Sequence, residues 1–407
     1  MKSEAISGSL NEIVDDSTEN IELFESGVDS DSILDVSKKR ILIAPDKFKG
    51  SLSAFEICEI LKSEINSAKP EVEIELCPLA DGGDGSLEIL TTYLPLEKCL
   101  CNTVDPLGRP IQAAYYKSEN TAYIELAAAS GIVLLKEEER NPMLTSTYGT
   151  GLQIQNAIKQ GLKNIILFLG GSATNDGGLG IANALGYKFY DKNKVEQKPI
   201  GASLDKVYQI IAPDSLPDLE SLTLCCDVEN PPFGLNGAAH IYARQKGASK
   251  EDVKVLDDGL KNICQILLRK TNIDVSSISG AGAAGGVAIS LLSLFEARIE
   301  SGLDMISNVS NLDFKINHAD IVISGEGKLD SQTLEGKVVN GVAAACRKYD
   351  KPLWLVAGAN ELSELEIESM NIQKIFAIIE RAKSIDDAMK LSETYLRSIG
   401  REIANSI

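Results

Sequence analysis

Both ends of this sequence repeat one unit: a short apolar, β-branched run, then a loop of glycines and charges, then a helical pattern. Ile41-Leu-Ile-Ala44 reads as a buried strand, and Ser53 with Glu56 three residues on forms a capping box for a helix to about Ser67. Val72-Glu-Ile-Glu-Leu76 alternates as a second strand, followed by Asp81-Gly-Gly-Asp-Gly85 and another helix. Toward the C-terminus, strands expected at 320–324, 353–357 and 374–379 alternate with helices at about 334–349, 361–370 and 384–404. Such alternation folds as a parallel, doubly wound sheet.

The middle is patterned differently. From Cys99 to about Leu135, extended runs broken by Asp105-Pro-Leu-Gly-Arg-Pro110 carry no good helix before Ser130, which predicts a mixed or antiparallel segment. A helix at 149–160, a strand at 164–169, a glycine-rich turn at 170–180, a strand at 222–228 and an amphipathic helix at about 251–270 follow. The expected fold class is therefore α/β: a discontinuous Rossmann-like parallel-sheet domain (residues 40–97 and 300–407) with a second mixed α/β domain inserted (98–299). Residues 1–39 hold ten acidic residues against Lys2, Lys38 and Lys39 and show no sustained apolar period. They are expected to form a disordered acidic extension, a small partner-docking helix being the alternative.

A net charge of −19 argues against nucleic acid or an anionic membrane as partner. An anionic substrate would need local Lys or Arg, or a divalent cation, set against that field. The eight cysteines show no C-x-x-C spacing, and His240 and His318 are the only histidines, so neither a zinc motif nor a histidine-based triad is expected. With no signal pattern and no apolar stretch of membrane-spanning length, the expectation is a cytoplasmic protein with reduced, mostly buried thiols.

Two familiar nucleotide motifs do not explain the chain. Gly280-Ala-Gly-Ala-Ala-Gly285 satisfies G-x-G-x-x-G, but Val275-Ser-Ser-Ile-Ser279 is a poor strand to precede a dinucleotide fingerprint, and close helix packing or phosphate approach suits it better. No G-x-x-x-x-G-K-[ST] is present. What remains is a set of loops at expected strand ends: Asp46-Lys-Phe-Lys-Gly-Ser51, Asp81 to Gly85, Gly170 to Gly178 with Asn175 and Asp176, the strand-closing Asp227, and Gly325 to Lys337. Most join glycines, whose N–H groups can meet an anion, to carboxylates or lysines. Phosphoryl transfer needs that mixture: carboxylates for Mg²⁺, N–H groups and Lys for phosphate, and a carboxylate to take the proton of the attacking hydroxyl.

These residues also resemble a known family. Ala44-Pro-Asp-Lys-Phe-Lys-Gly-Ser-Leu52, Ala80-Asp-Gly-Gly-Asp-Gly85, Gly170 to Gly178, Gln245-Lys-Gly-Ala248 and Gly325-Glu-Gly-Lys-Leu-Asp-Ser-Gln-Thr333 with Gly336-Lys337 are similar, in order, to the type-1 glycerate kinase family. Asp105-Pro-Leu-Gly-Arg109 and Cys226-Asp-Val-Glu-Asn-Pro231 also fit it, and only the acidic extension lies outside. The resemblance implies ATP-dependent phosphorylation of D-glycerate with Mg²⁺, in a cleft between a Rossmann-like and an inserted domain. The chain departs from the family at Lys47, Asp84, Lys328 and Val338-Val339. Lys328 matters most, because Lys cannot grip a carboxylate bidentately as the family's common Arg can.

On that footing Lys49, Lys328 and Arg109 are the candidates for glycerate's carboxylate, and Asp46 and Asp176 for the general base. Asp81, Asp227 and Glu326 are the candidates for Mg²⁺, Asp330 for orienting a lysine, and Lys337 for a phosphate. Gly82, Gly83, Gly170, Gly171, Ser172 and Gly325 would cradle the nucleotide. Transfer to the 2-hydroxyl is favoured over the 3-hydroxyl, although nothing in the residues separates the two, and a homodimer is compatible with the sequence without being demanded by it. A kinase for another small hydroxy acid and a non-catalytic ligand-binding module of this fold are the alternatives.

Overall fold

A computed structural model describes residues 38–83, 85–334 and 338–407, and it sets the strands expected at the two ends of the chain side by side. The strands, in chain order, are β1 (Arg40–Ile43), β2 (Glu73–Leu76), β3 (Glu97–Val104), β4 (Pro110–Ser118), β5 (Thr121–Glu125), β6 (Asn164–Phe168), β7 (Lys188–Tyr190), β8 (Gln209–Ile211), β9 (Ser221–Cys225), β10 (Arg298–Glu300), β11 (Ile321–Leu329), β12 (Leu353–Asn360) and β13 (Ile372–Ala377). Five of them form a wholly parallel sheet in the order β13-β12-β11-β1-β2. At its centre Ile41, Leu42 and Ile43 pair with Ile321, Val322 and Ile323. Ile41, Ile43, Ile321 and Ile323 fill a core on one face with Trp354 and Val356, while Leu42, Val322 and Leu355 fill a core on the other. Burial on both faces explains why these runs are apolar without alternation.

The second sheet, β10-β9-β6-β5-β4-β3, is parallel from β10 to β5 and antiparallel from β5 to β3, the mixed character expected of the middle segment. Its strands all come from residues 97–300. Phe168 and Cys225, from β6 and β9, join Leu42 and Val322 in one apolar cluster, and Lys39–Ile407 is a single compact unit. The capping box at Ser53 is present: Ser53 N–H donates to the Glu56 carboxylate at 2.8 Å, and Glu56 N–H donates to Ser53 Oγ at 3.2 Å.

Three boundaries differ from expectation. β11 does not break at Gly325 but runs to Leu329, pairing Glu326 with Ala357 and Lys328 with Ala359. Glycine signals a turn in sequence, yet here it keeps the ladder continuous, since a Cβ at 325 would stand 1.9 Å from the Val356 carbonyl oxygen. Where a helix is expected from about 334, Ser331–Leu334 form a 3₁₀ turn, and the helix is described over Val338–Lys348. The C-terminal helix is two, Ile385–Lys390 and Ser392–Ser406. The G-x-G-x-x-G segment enters a kinked helix, Ala283–Phe295, where the Gly285 carbonyl accepts the Gly177 N–H at 3.2 Å, so it packs against the glycine-rich loop.

The acidic extension lies outside the described residues through position 37, as do Asp84 and Lys337. All eight cysteines are free, seven of them buried. No helix among the described residues is long and apolar enough to cross a membrane.

Candidate active site

In the parallel sheet the order of connection reverses between β1 and β11: the chain leaves β1 toward β2 on one side and β11 toward β12 on the other. Ligands of open α/β sheets bind beyond the strand ends at such a point. Here it is pinned by polar contacts between segments far apart in the chain. Ser324 Oγ–H donates to the Ala44 carbonyl at 2.7 Å, and Asp46 N–H donates to the Gly325 carbonyl at 2.8 Å. Gly325 thus serves the site by holding Asp46 and does not itself line the cavity that opens there.

That cavity, about 2100 Å³, takes its walls from both sheets. Asp46, Lys49, Glu326, Lys328 and Asp330 come from β1, β11 and their loops, and Asp81, Gly82 and Gly83 from the loop after β2. The other sheet contributes Gly170, Gly171 and Ser172 after β6, and Asp227 after β9. The loop after β2 meets the backbone just after β10 and the Asp227 side chain: Gly82, with φ +80°, would place a Cβ 2.8 Å from the Gly302 Cα and 3.2 Å from Asp227 Oδ2. Only glycine permits that approach at that angle.

The carboxylates are crowded and partly dry. Asp46 is 8% exposed, and burial, reinforced by the charge of Asp81, pushes it up to about 7 even though its Oδ1 accepts the Lys47 N–H at 2.7 Å. Burial and the same Asp81 charge raise Asp227 to about 7, against hydrogen bonds to its Oδ1 from Ser301 Oγ–H at 2.7 Å and Gly302 N–H at 3.1 Å. Asp227 Oδ2 is buried with no hydrogen-bond partner among the described residues. Glu326 is 7% exposed, and its charge adds to the rise at Asp46. No three His, Cys, Asp or Glu side chains among the described residues converge closely enough to cage a metal ion on their own.

Two candidates stand elsewhere. Asp176 is fully buried and does not line the cavity. Its Oδ2 accepts the Thr147 N–H at 2.7 Å, the Thr147 hydroxyl at 2.8 Å and the Gly180 N–H at 3.2 Å, and its Oδ1 the Gly178 N–H at 3.1 Å. It shapes the glycine-rich loop from behind, out of reach of a substrate hydroxyl in the cavity. Arg109 is likewise absent from the walls: its guanidinium pairs with Asp105 at 2.5 Å and Glu139 at 2.6 Å. Lys328 does line the cavity, shared between Glu361 at 2.8 Å and Asp330 at 3.4 Å, and Lys49 is exposed at its edge.

Sequence reading gave no role to Lys246. It lines the cavity at only 3% exposure, its Nζ donating to Ser172 Oγ at 2.7 Å and the Thr174 carbonyl at 2.8 Å. Its place beside Gly247 in a shared motif was visible, but a lysine in a 3₁₀ turn gives no sign of burial.

The family model described as the glycerate kinase family matches residues 41–407. The chain is 36% identical to a glycerate kinase of Halalkalibacterium halodurans over 371 residues, covering 89% of this chain and 97% of that protein. It is 35% identical to a glycerate 2-kinase of Escherichia coli over 372 residues, covering 90% of this chain and 98% of that protein. The solved structure described as glycerate kinase 2 from Salmonella typhimurium LT2 superposes with a TM-score of 0.76 at 32% identity, covering 91% of this chain and 98% of that one.

Proposed function

The chain belongs to the glycerate kinase family, and from that premise we propose that it transfers the γ-phosphoryl group of ATP to the 2-hydroxyl of D-glycerate in the cavity between its two sheets. Phosphorylation of glycerate is the activity of the family. The 2-hydroxyl is favoured because a relative 35% identical over nearly its whole length is a glycerate 2-kinase. In this reading residues 40–97 and 300–407 act as one domain, 98–299 as the other, and the reaction runs between them.

The observation that carries the proposal is Asp46: a carboxylate at the switch point of the sheet, lining the cavity and held near 7 by burial and by Asp81. A carboxyl with that affinity for protons can take one from an alcohol near neutral pH, whereas an ordinary aspartate is too weak a base. Asp46 receives the hydroxyl proton as the oxygen attacks. Gly170, Gly171 and Ser172 stand on the cavity wall and present backbone N–H groups to the phosphates, with Gly82 and Gly83 at the seam between the sheets. Lys49 and Lys328 bind the hydroxy acid's carboxylate, and Asp330 and Glu361 orient Lys328.

The carboxylates also fit a divalent cation. Mg²⁺ is usually held by one or two carboxylates together with substrate phosphates and water, and needs no closed three-residue cage. Asp227, whose buried Oδ2 has no partner among the described residues, is the first ligand candidate, with Asp81 or Glu326 as the second. When bound, the ion neutralises charge on the phosphates.

The test is a ³¹P spectrum of the product from purified protein, D-glycerate, ATP and Mg²⁺. A phosphomonoester signal split by one proton is expected, as in 2-phosphoglycerate. Splitting by two protons would reassign the attack to the 3-hydroxyl, and no ester while ATP demonstrably binds would overturn the assignment of substrate.

A further inference from the structure

Lys246 presents an electrostatic problem that the protein alone does not solve. An ammonium group has three N–H donors, and two are used, on Ser172 Oγ at 2.7 Å and the Thr174 carbonyl at 2.8 Å. The third has no acceptor among the described residues, although the side chain lines the cavity wall. Both acceptors are neutral. Burial pulls Lys246 down to about 7, only partly opposed by the charge of Asp176 behind the loop. Burying an ammonium costs several kcal/mol, and an apolar side chain of similar volume would fill the space without that cost. The charge is therefore set up for a partner that arrives from the cavity.

The surroundings say what kind of partner. Ser172, which Lys246 holds through its hydroxyl, closes the run Gly170-Gly171-Ser172 on the cavity wall. The N–H groups of those three residues have no acceptor among the described residues, and Gly171 has φ +67°. Consecutive free N–H groups around a left-handed glycine form an anion-binding concavity. Among the other lysines of the cavity, Lys328 already carries two carboxylates, Lys49 is exposed, and half-buried Lys47 is already engaged within the protein.

We propose that Lys246 grips an oxyanion of the reactants, a nucleotide phosphate or the hydroxy acid's carboxylate, jointly with the backbone of Gly170–Ser172. The proposal rests on the phosphoryl-transfer reading, and its test separates the two. In full-length protein, Lys246→Met keeps length and volume and removes the charge. Its kcat/KM should fall about 100-fold or more, the range for losing one donor to a reacting oxyanion. A rise in KM for ATP with that for D-glycerate unchanged identifies the phosphate, and the reverse split identifies the carboxylate. Both values of kcat/KM within about threefold of the parent overturn the proposal.

Should Lys246→Met fail to fold, the unaltered protein carries the test. The ¹⁵N ammonium signal of Lys246, assigned by its loss in Lys246→Arg, is followed during separate titrations with inorganic phosphate and D-glycerate. A saturable shift with either supports the proposal, and no shift with either overturns it. Parent protein that makes no phosphoglycerate refutes the substrate reading alone, since the phosphate titration still reports on Lys246.

Discussion

A carboxyl group with the ordinary aspartate value of 3.8 holds a proton too loosely to help an alcohol attack, and Asp46 escapes that limit by being buried beside Asp81. The same environment has a thermodynamic cost with a definite sign. A group held near 7 in the folded chain and near 3.8 when unfolded contributes stability that is fully present below about 3.8 and lost as pH rises through about 7. Asp46→Asn should therefore raise the melting temperature at pH 8 and leave it unchanged at pH 4, while lowering kcat/KM by about 100-fold or more. In the parent, kcat/KM should climb with pH through about 7 as Asp46 loses its proton. Melting curves at the two pH values and a pH–rate profile check this; an Asn variant with the parent's rate would remove Asp46 from the chemistry.

The elements of the site support one another across the two sheets. The helix Ser86–Tyr93 has no side-chain cap from its own N-cap residue, Gly85. Instead Glu125, the last residue of β5, accepts the N–H of Gly85 at 3.1 Å and of Leu87 at 3.2 Å. A carboxylate at a helix start satisfies orphan donors and faces the positive end of the dipole. Glu125→Ala should cost about 1–2 kcal/mol in denaturant unfolding. An unchanged midpoint would mean that water caps that helix equally well.

This borrowed cap also marks where sequence reading stops. Runs such as Ile41–Ile43 and Ile321–Ile323 announce buried strands through composition alone, and the Ser53–Glu56 box announces a helix start, because each signal is local. The reach of β11 past Gly325 was hidden, since the reason for that glycine is a carbonyl on β12. Asp176 and Arg109 carried the right chemistry in the right motifs, but burial behind the loop and pairing with Glu139 belong to three-dimensional neighbours. Lys246 was passed over for the converse reason: in a sequence a buried lysine looks like any other.

At the scale of the whole molecule, a chain of net charge −19 sets seven of its carboxylates around the cavity proposed to hold two anions. Because the described residues form no metal cage, chelator alone should leave the melting temperature of nucleotide-free protein unchanged. Mg²⁺ with ADP should raise it, by about 2.7 kcal/mol of stabilisation at one hundred times the dissociation constant. Calorimetry with each component alone and together checks this, and stabilisation by ADP without the metal would count against a cation bridging phosphate to Asp81, Asp227 or Glu326.

The seam between β1 and β11 has a temporal side. Ala44 and Ser324, joined by a hydrogen bond in the finished molecule, are 280 residues apart. On a ribosome adding 5–20 residues per second, β1 emerges roughly 14–56 s before the strand that covers its open edge. Meanwhile residues 97–300 have everything needed to pair their own six strands, whereas Ile41, Leu42 and Ile43 stay exposed on one edge, a surface for chaperones or for aggregation. The cavity is thus completed late in synthesis, after the Asp46 N–H has found the Gly325 carbonyl and the wall residues from Asn340 to Ser392 have followed.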